Sequence, residues 1–122
     1  MTDLTSIIEK TIREKTYTIR GQKVMLDFDV ADLYEVDFKT FRRAVSKNRK
    51  RFPPDYQFQL TEIEWAELQF RPTSFSIPVQ KKTPTVFTEG GLLMLSGVLK
   101  SKKAVDASIA IINILCSLIK LR

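Results

Sequence analysis

The sequence predicts a small single-domain α+β protein, and three observations carry that expectation. Short β-prone runs alternate with segments whose apolar residues recur at helical spacing. Capping residues stand where those helical segments would begin. A strongly apolar stretch closes the chain. Together they describe a helix-turn-helix-like helix pair, short β-hairpins and a long apolar C-terminal helix. At 122 residues, 43% of them hydrophobic and 28% charged, the chain can bury one core and has the balance of a soluble domain.

Taken in order, residues 1–16 read as an N-terminal extension and 17–122 as the domain body. Leu4 to Glu14 can make a helical turn or two, with Leu4, Ile7, Ile8 and Ile12 on one side. Tyr17–Arg20 and Lys23–Leu26 flank Gly21-Gln22, which is the pattern of a hairpin closed by a type II′ turn. Asp29 can cap a short helix over Val30–Tyr34. After a turn at Glu35-Val36-Asp37, Asp37 can cap a second helix from Phe38 to about Lys50. Two helices joined so tightly have the layout of a helix-turn-helix.

Pro53-Pro54 ends the second helix, because proline lacks a donor and pushes Phe52 away from helical geometry. Tyr56, Phe58 and Leu60 alternate with Gln57 and Gln59, the period of a half-buried strand. Thr61-Glu62-Ile63-Glu64 is a capping box that opens a helix to about Phe70, with Trp65 and Leu68 inward. Residues Arg71 to Pro84 contain three prolines and read as a loop or a loose hairpin around Phe75–Val79. A strand at Thr85–Phe87 follows, then a helix from Glu89 to about Leu99 capped by Thr88. Ser101 can cap a last helix from Lys102 to about Leu121.

Charge is unevenly distributed. Lys39, Arg42, Arg43, Lys47, Arg49, Lys50 and Arg51 are seven cations in a segment without an acid. The chain holds 20 cations and 14 acids, so the remainder outside this segment is 13 against 14. Its basic character is local, and a local charge is suited to meet an opposite one. On a helical wheel Phe38, Phe41, Ala44, Val45 and Asn48 fall on one side. Lys39, Arg43, Ser46, Lys47 and Lys50 fall opposite. A solvated helix face would show the same stripe, but the missing acids and the helix pair favour a nucleic-acid backbone. The neighbouring aromatics Phe38, Phe41, Phe52 and Tyr56 are at core spacing and do not read as a stacking platform.

An enzyme is not expected. The chain has no histidine, which removes the commonest general base and metal ligand. The single cysteine, Cys116, lies in an apolar run and reads as a packing thiol, so neither a disulfide nor a thiolate metal cluster is expected. No cofactor and no metal are implied. The stretch Ala104 to Leu121 is interrupted by Asp106, Ser108, Asn113, Ser117 and Lys120, short of the roughly 20 continuous apolar residues of a membrane span. No signal-peptide core is present near Met1 to Arg13, and a cytoplasmic location is the expectation. The apolar excess of the last helix fits a homodimer seam and a centrally buried helix equally.

The residues also resemble a known family. Ile19 to Asp27, followed by Val30-Ala31-Asp32-Leu33-Tyr34-Glu35-Val36, look like the opening of the ORF6N domain, found in phage and prophage proteins of the KilA-N and antirepressor group. The resemblance continues through Ala44-Val45, Asn48, Arg51-Phe52-Pro53 and Asp55 to Thr61. It resumes at Phe87-Thr88-Glu89, Gly91, Met94-Leu95-Ser96 and Val98 to Ser101. It implies an α+β domain over residues 17–122 that binds double-stranded DNA, is phage-derived and acts in transcription regulation. Family members usually carry Leu-Asn where this chain has Phe41-Arg42, and Arg where it has Lys47. The first change adds a positive charge and the second keeps one, and both alter which base edges are read.

The functional expectation is a non-enzymatic DNA-binding domain with the Phe38–Lys50 helix in the major groove. Lys39, Arg43, Lys47 and Lys50 contact phosphate in this reading, and Arg42 or Arg43 touches bases. Arg49 and Arg51 flank the stripe, and Lys81-Lys82 in a wing-like loop add a backbone contact. The alternative is an antirepressor-type module that captures an acidic repressor or host protein, with the last helix as its working surface.

Overall fold

The computed structural model describes residues 4–69, 82–99, 109, 110, 112 and 113. Over these the fold is α+β, with five α-helices and one four-stranded antiparallel sheet. The helices are α1 (Leu4–Glu14), α2 (Asp27–Leu33), α3 (Phe38–Lys47), α4 (Glu62–Gln69) and α5 (Glu89–Leu95). The strands are β1 (Thr16–Ile19), β2 (Gln22–Leu26), β3 (Gln57–Gln59) and β4 (Thr85–Thr88), in the order β1-β2-β4-β3.

Strand alternation decides which helix goes where. Successive side chains on a strand point to opposite faces. Met25 and Phe87 face one way and join Ile12 of α1, Val30 of α2, Phe41 and Val45 of α3, and Leu92 and Leu95 of α5. Val24, Leu26 and Val86 face the other way and join Trp65 and Leu68 of α4. The sheet is thus sandwiched, with α3 on one face and α4 on the other. Ala110 is buried in the first of these cores. The expected long apolar C-terminal helix lies outside the described residues except at 109, 110, 112 and 113, and its expected cap at Ser101, Cys116 and the hairpin expected around Phe75–Val79 lie outside them entirely.

The first hairpin differs from the sequence expectation. Its turn residues are Arg20 and Gly21, because Ile19 pairs with Gln22. Both turn residues have positive φ, 54° and 74°, which is the type I′ pattern and not II′ with Gly21-Gln22 at the corner. Register explains the choice: this pairing puts both Ile19 and Val24 in the α4-side core. Arg20 accepts the left-handed backbone while its side chain is used elsewhere. Its guanidinium donates to Glu64 at 2.8 and 2.9 Å and lies 4.2 Å from the Phe58 ring centre.

Glu64 also completes the expected capping box. Thr61 N donates to its carboxylate at 2.8 Å, and Glu64 N donates to Thr61 Oγ1 at 3.1 Å. One carboxylate therefore caps α4 and ties it to the first hairpin. Arg20 beside it is the main reason its pKa falls from 4.5 to about 2.

The helix pair is present with shifted boundaries. α2 begins at Asp27 directly after β2, earlier than a cap at Asp29 would place it, and its N-cap Leu26 supplies no side-chain bond. Asp29 instead pairs with Lys15 at 3.5 Å. The helix ends with Glu35 at φ 52°, Glu35 N donating to Asp32 O and Val36 N to Ala31 O. That is a Schellman motif, with a glutamate in the place glycine usually takes. Thr88 caps α5 as expected, but the helix stops at Leu95 and not near Leu99.

Candidate nucleic-acid interface

Asp37 opens α3, its carboxylate accepting from Thr40 N at 3.3 Å. Phe41 and Val45 are its buried residues, and Phe38, Ala44 and Asn48 are half-buried, matching the inward side of the wheel. Phe41 meets Phe87 edge to face, which seats the helix on β4.

The helix does not run on to Lys50. Asn48 ends it, donating from Nδ2 to Ala44 O at 2.8 Å, and Arg49–Arg51 form a 3-10 turn. Phe52 follows, buried and edge-on to Phe87 at 5.8 Å. Phe41 and Phe52 thus pin both ends of the basic segment on one ring. Because the helix ends at Lys47, Lys50 does not continue the wheel on which it was placed.

All seven cations from Lys39 to Arg51 are exposed, and among the described residues none forms an ion pair. Arg42, and Arg49 and Arg51 that flank the stripe, are exposed as the stripe is. The Arg42 guanidinium lies 5.7 Å from the Phe38 ring centre. Lys39, Arg42 and Arg43 share a shallow groove with Phe38 and Ser46. Lys82 is exposed but lines a different groove, with Glu62, Trp65 and Gln69 of α4. Lys81 lies outside the described residues.

Sequence reasoning missed a notch between α3 and the edge of the sheet. Arg42 and Ser46 of α3, the following Arg49, Gln57 of β3 and Thr85 of β4 line a cavity of about 230 Å³. Asp27 sits in its wall, 6% exposed, accepting from Phe28 N at 2.7 Å and Thr85 N at 3.2 Å. Burial pushes its pKa up, opposed by those two backbone donors and by the Arg42 charge. No local signal in the sequence marks this site, since Asp27 and Thr85 meet only through the pairing of β2 with β4.

Comparison with protein families matches the ORF6N domain over residues 14–98. The chain belongs to the ORF6N domain family. Comparison with curated proteins and with solved structures gives no match. The matched span takes in the hairpin, the helix pair, the basic turn and α5, so the ORF6N domain contains the whole cationic surface and the notch beside it. Among the described residues, no helix of this ORF6N protein is long and apolar enough to cross a membrane.

Proposed function

We propose that this ORF6N protein is a non-enzymatic, phage-derived DNA-binding module of transcription regulation, docking its α3 surface in the major groove. One observation carries the reading: seven exposed cations on α3 and the adjoining turn, with no acid among them and no ion pair to a described residue. Neutralising those cations by neighbouring carboxylates would have made the face structural. Without an ion pair to hold them, they form an anionic ligand's footprint. Lys39, Arg43 and Lys47 contact phosphates, Lys50 and Arg51 extend the contact past the helix end, and Arg42 or Arg43 reaches base edges.

The test is an electrophoretic gel shift on duplex DNA at low salt with the triple variant Lys39/Arg43/Lys47→Ala. Loss of the shifted band is expected. In wild type, log K should fall steeply with log salt, and replacing Lys39, Arg43 or Lys47 singly by Ala should make the slope shallower by about 0.9. Unchanged binding in the variant sinks the assignment.

A second reading has its own observation. Ile109 and Ile112, three residues apart, are each 45% exposed. An apolar pair on a C-terminal face suits a homodimer seam or an antirepressor contact with a repressor or host protein. That reading without DNA binding predicts no duplex affinity at about 50 mM salt, where electrostatic association is strong.

A further inference from the structure

The notch beside α3 carries both signs of charge in its lining. Asp27 contributes a buried carboxylate, and a phosphate beside it would face like-charge repulsion in a partly desolvated site. Arg42 and Arg49 lie on the same cavity, so an ammonium or guanidinium is equally disfavoured. A neutral group carrying donors and acceptors together matches the carboxylate and the guanidiniums at once. The carboxylate has about four acceptor sites and gives two of them to Phe28 N and Thr85 N. Gln57 lines the same space. At about 230 Å³ the cavity has room for roughly seven waters at about 30 Å³ each, the scale of one planar heterocycle.

We propose that this notch receives a single unpaired nucleobase, guanine before adenine, from the nucleic acid that α3 holds. The inference rests on the nucleic-acid reading of α3 and names a feature of the ligand that the cationic surface alone does not require. Guanine presents a ring N–H and an amino group on its Watson–Crick edge, both donors for Asp27, and a carbonyl oxygen for Arg42 or Arg49. Adenine turns an acceptor nitrogen toward the carboxylate on that edge, which leaves a buried acceptor facing another. Gln57 supplies either a donor or an acceptor to the remaining edge, and Val45 and Phe87 form the apolar part of the wall. A base inside a continuous duplex cannot enter. The nucleotide must be bulged, mismatched or otherwise unstacked, and such bases are the least costly to extrude.

Fluorescence anisotropy distinguishes the cases with three labelled duplexes of one sequence: fully paired, with one extra unpaired guanine, and with one extra unpaired adenine. The wild-type chain is expected to bind the guanine-bulged duplex about tenfold tighter than the paired one, with the adenine bulge between them. Gln57→Ala should reduce the bulge preference to about twofold or less while leaving paired-duplex affinity unchanged. Asp27→Asn, which keeps the side-chain volume, should abolish the preference for guanine over adenine. Equal affinity of wild type for all three duplexes overturns this inference alone. So does a bulge preference that survives Gln57→Ala, because it would then report duplex bending. A wild-type chain that binds none of them overturns the nucleic-acid reading as well.

Discussion

Phe41 of α3 stands edge-on to Phe87 of β4, ring centres 5.6 Å apart and planes 79° from parallel, and both residues are almost wholly buried. Phe87 takes Phe52 on its other contact, so one ring in the central strand fixes the start and the end of the basic segment. The Phe41-Arg42 pair is then partly a core feature: Phe41 packs inward and only Arg42 faces solvent.

Truncating that anchor should separate packing from charge. Phe41→Ala removes a fully buried aromatic and is expected to cost about 3–5 kcal/mol in urea unfolding, whereas Phe41→Leu should cost about 1 kcal/mol. Duplex affinity should fall in Phe41→Ala although every cation is retained, because α3 loses its seat. An equally stable Phe41→Ala chain would show that α3 does not depend on Phe87.

The Arg20–Glu64 pair should give stability an acid dependence. Glu64 has a folded pKa of about 2 against an ordinary 4.5, so the folded state favours the carboxylate. Its contribution is full above about 4.5 and is lost as pH falls toward 2. Glu64→Gln should therefore melt below wild type at neutral pH, with the difference shrinking across that window. Thermal melts followed by circular dichroism at several pH values measure it. A difference that stays constant from neutral pH to pH 2 would contradict the pairing.

Gly91 is a position where a side chain has no room. A methyl group built on it would run into the Tyr56 carbonyl oxygen, the same oxygen that accepts from Thr88 N. Gly91→Ala should destabilise the chain by about 1–3 kcal/mol through displacement of the loop before β3, despite the higher helix propensity of alanine. Chemical denaturation decides it, since a propensity-dominated effect would have the opposite sign.

Much of this protein is decided by local chemistry that the sequence displays openly. The capping box at Thr61 and Glu64, the caps at Asp37 and Thr88, and the inward row Phe41, Ala44, Val45 need only near neighbours, and each has a residue type with one plain role. The cationic segment was legible for the same reason, because charge and the lack of compensating acids are properties of composition. The ORF6N resemblance was legible in its separated blocks.

Other features depend on partners distant in the chain. The hairpin's turn type followed from which residues had to face α4, a constraint absent from the turn itself. β4 joins β2 and β3 into one sheet across long separations, and that pairing alone brings Asp27 to Thr85 and places Gln57 beside Arg42. The sequence by itself determined that a basic helix would be displayed on a small α+β domain, since periodicity and charge are local. Tertiary structure decided that this helix ends at Lys47, that all seven cations face solvent, and that a buried carboxylate lies beside them. Those outcomes follow from long-range strand pairing and the burial of Phe41, Phe52 and Phe87 in one core.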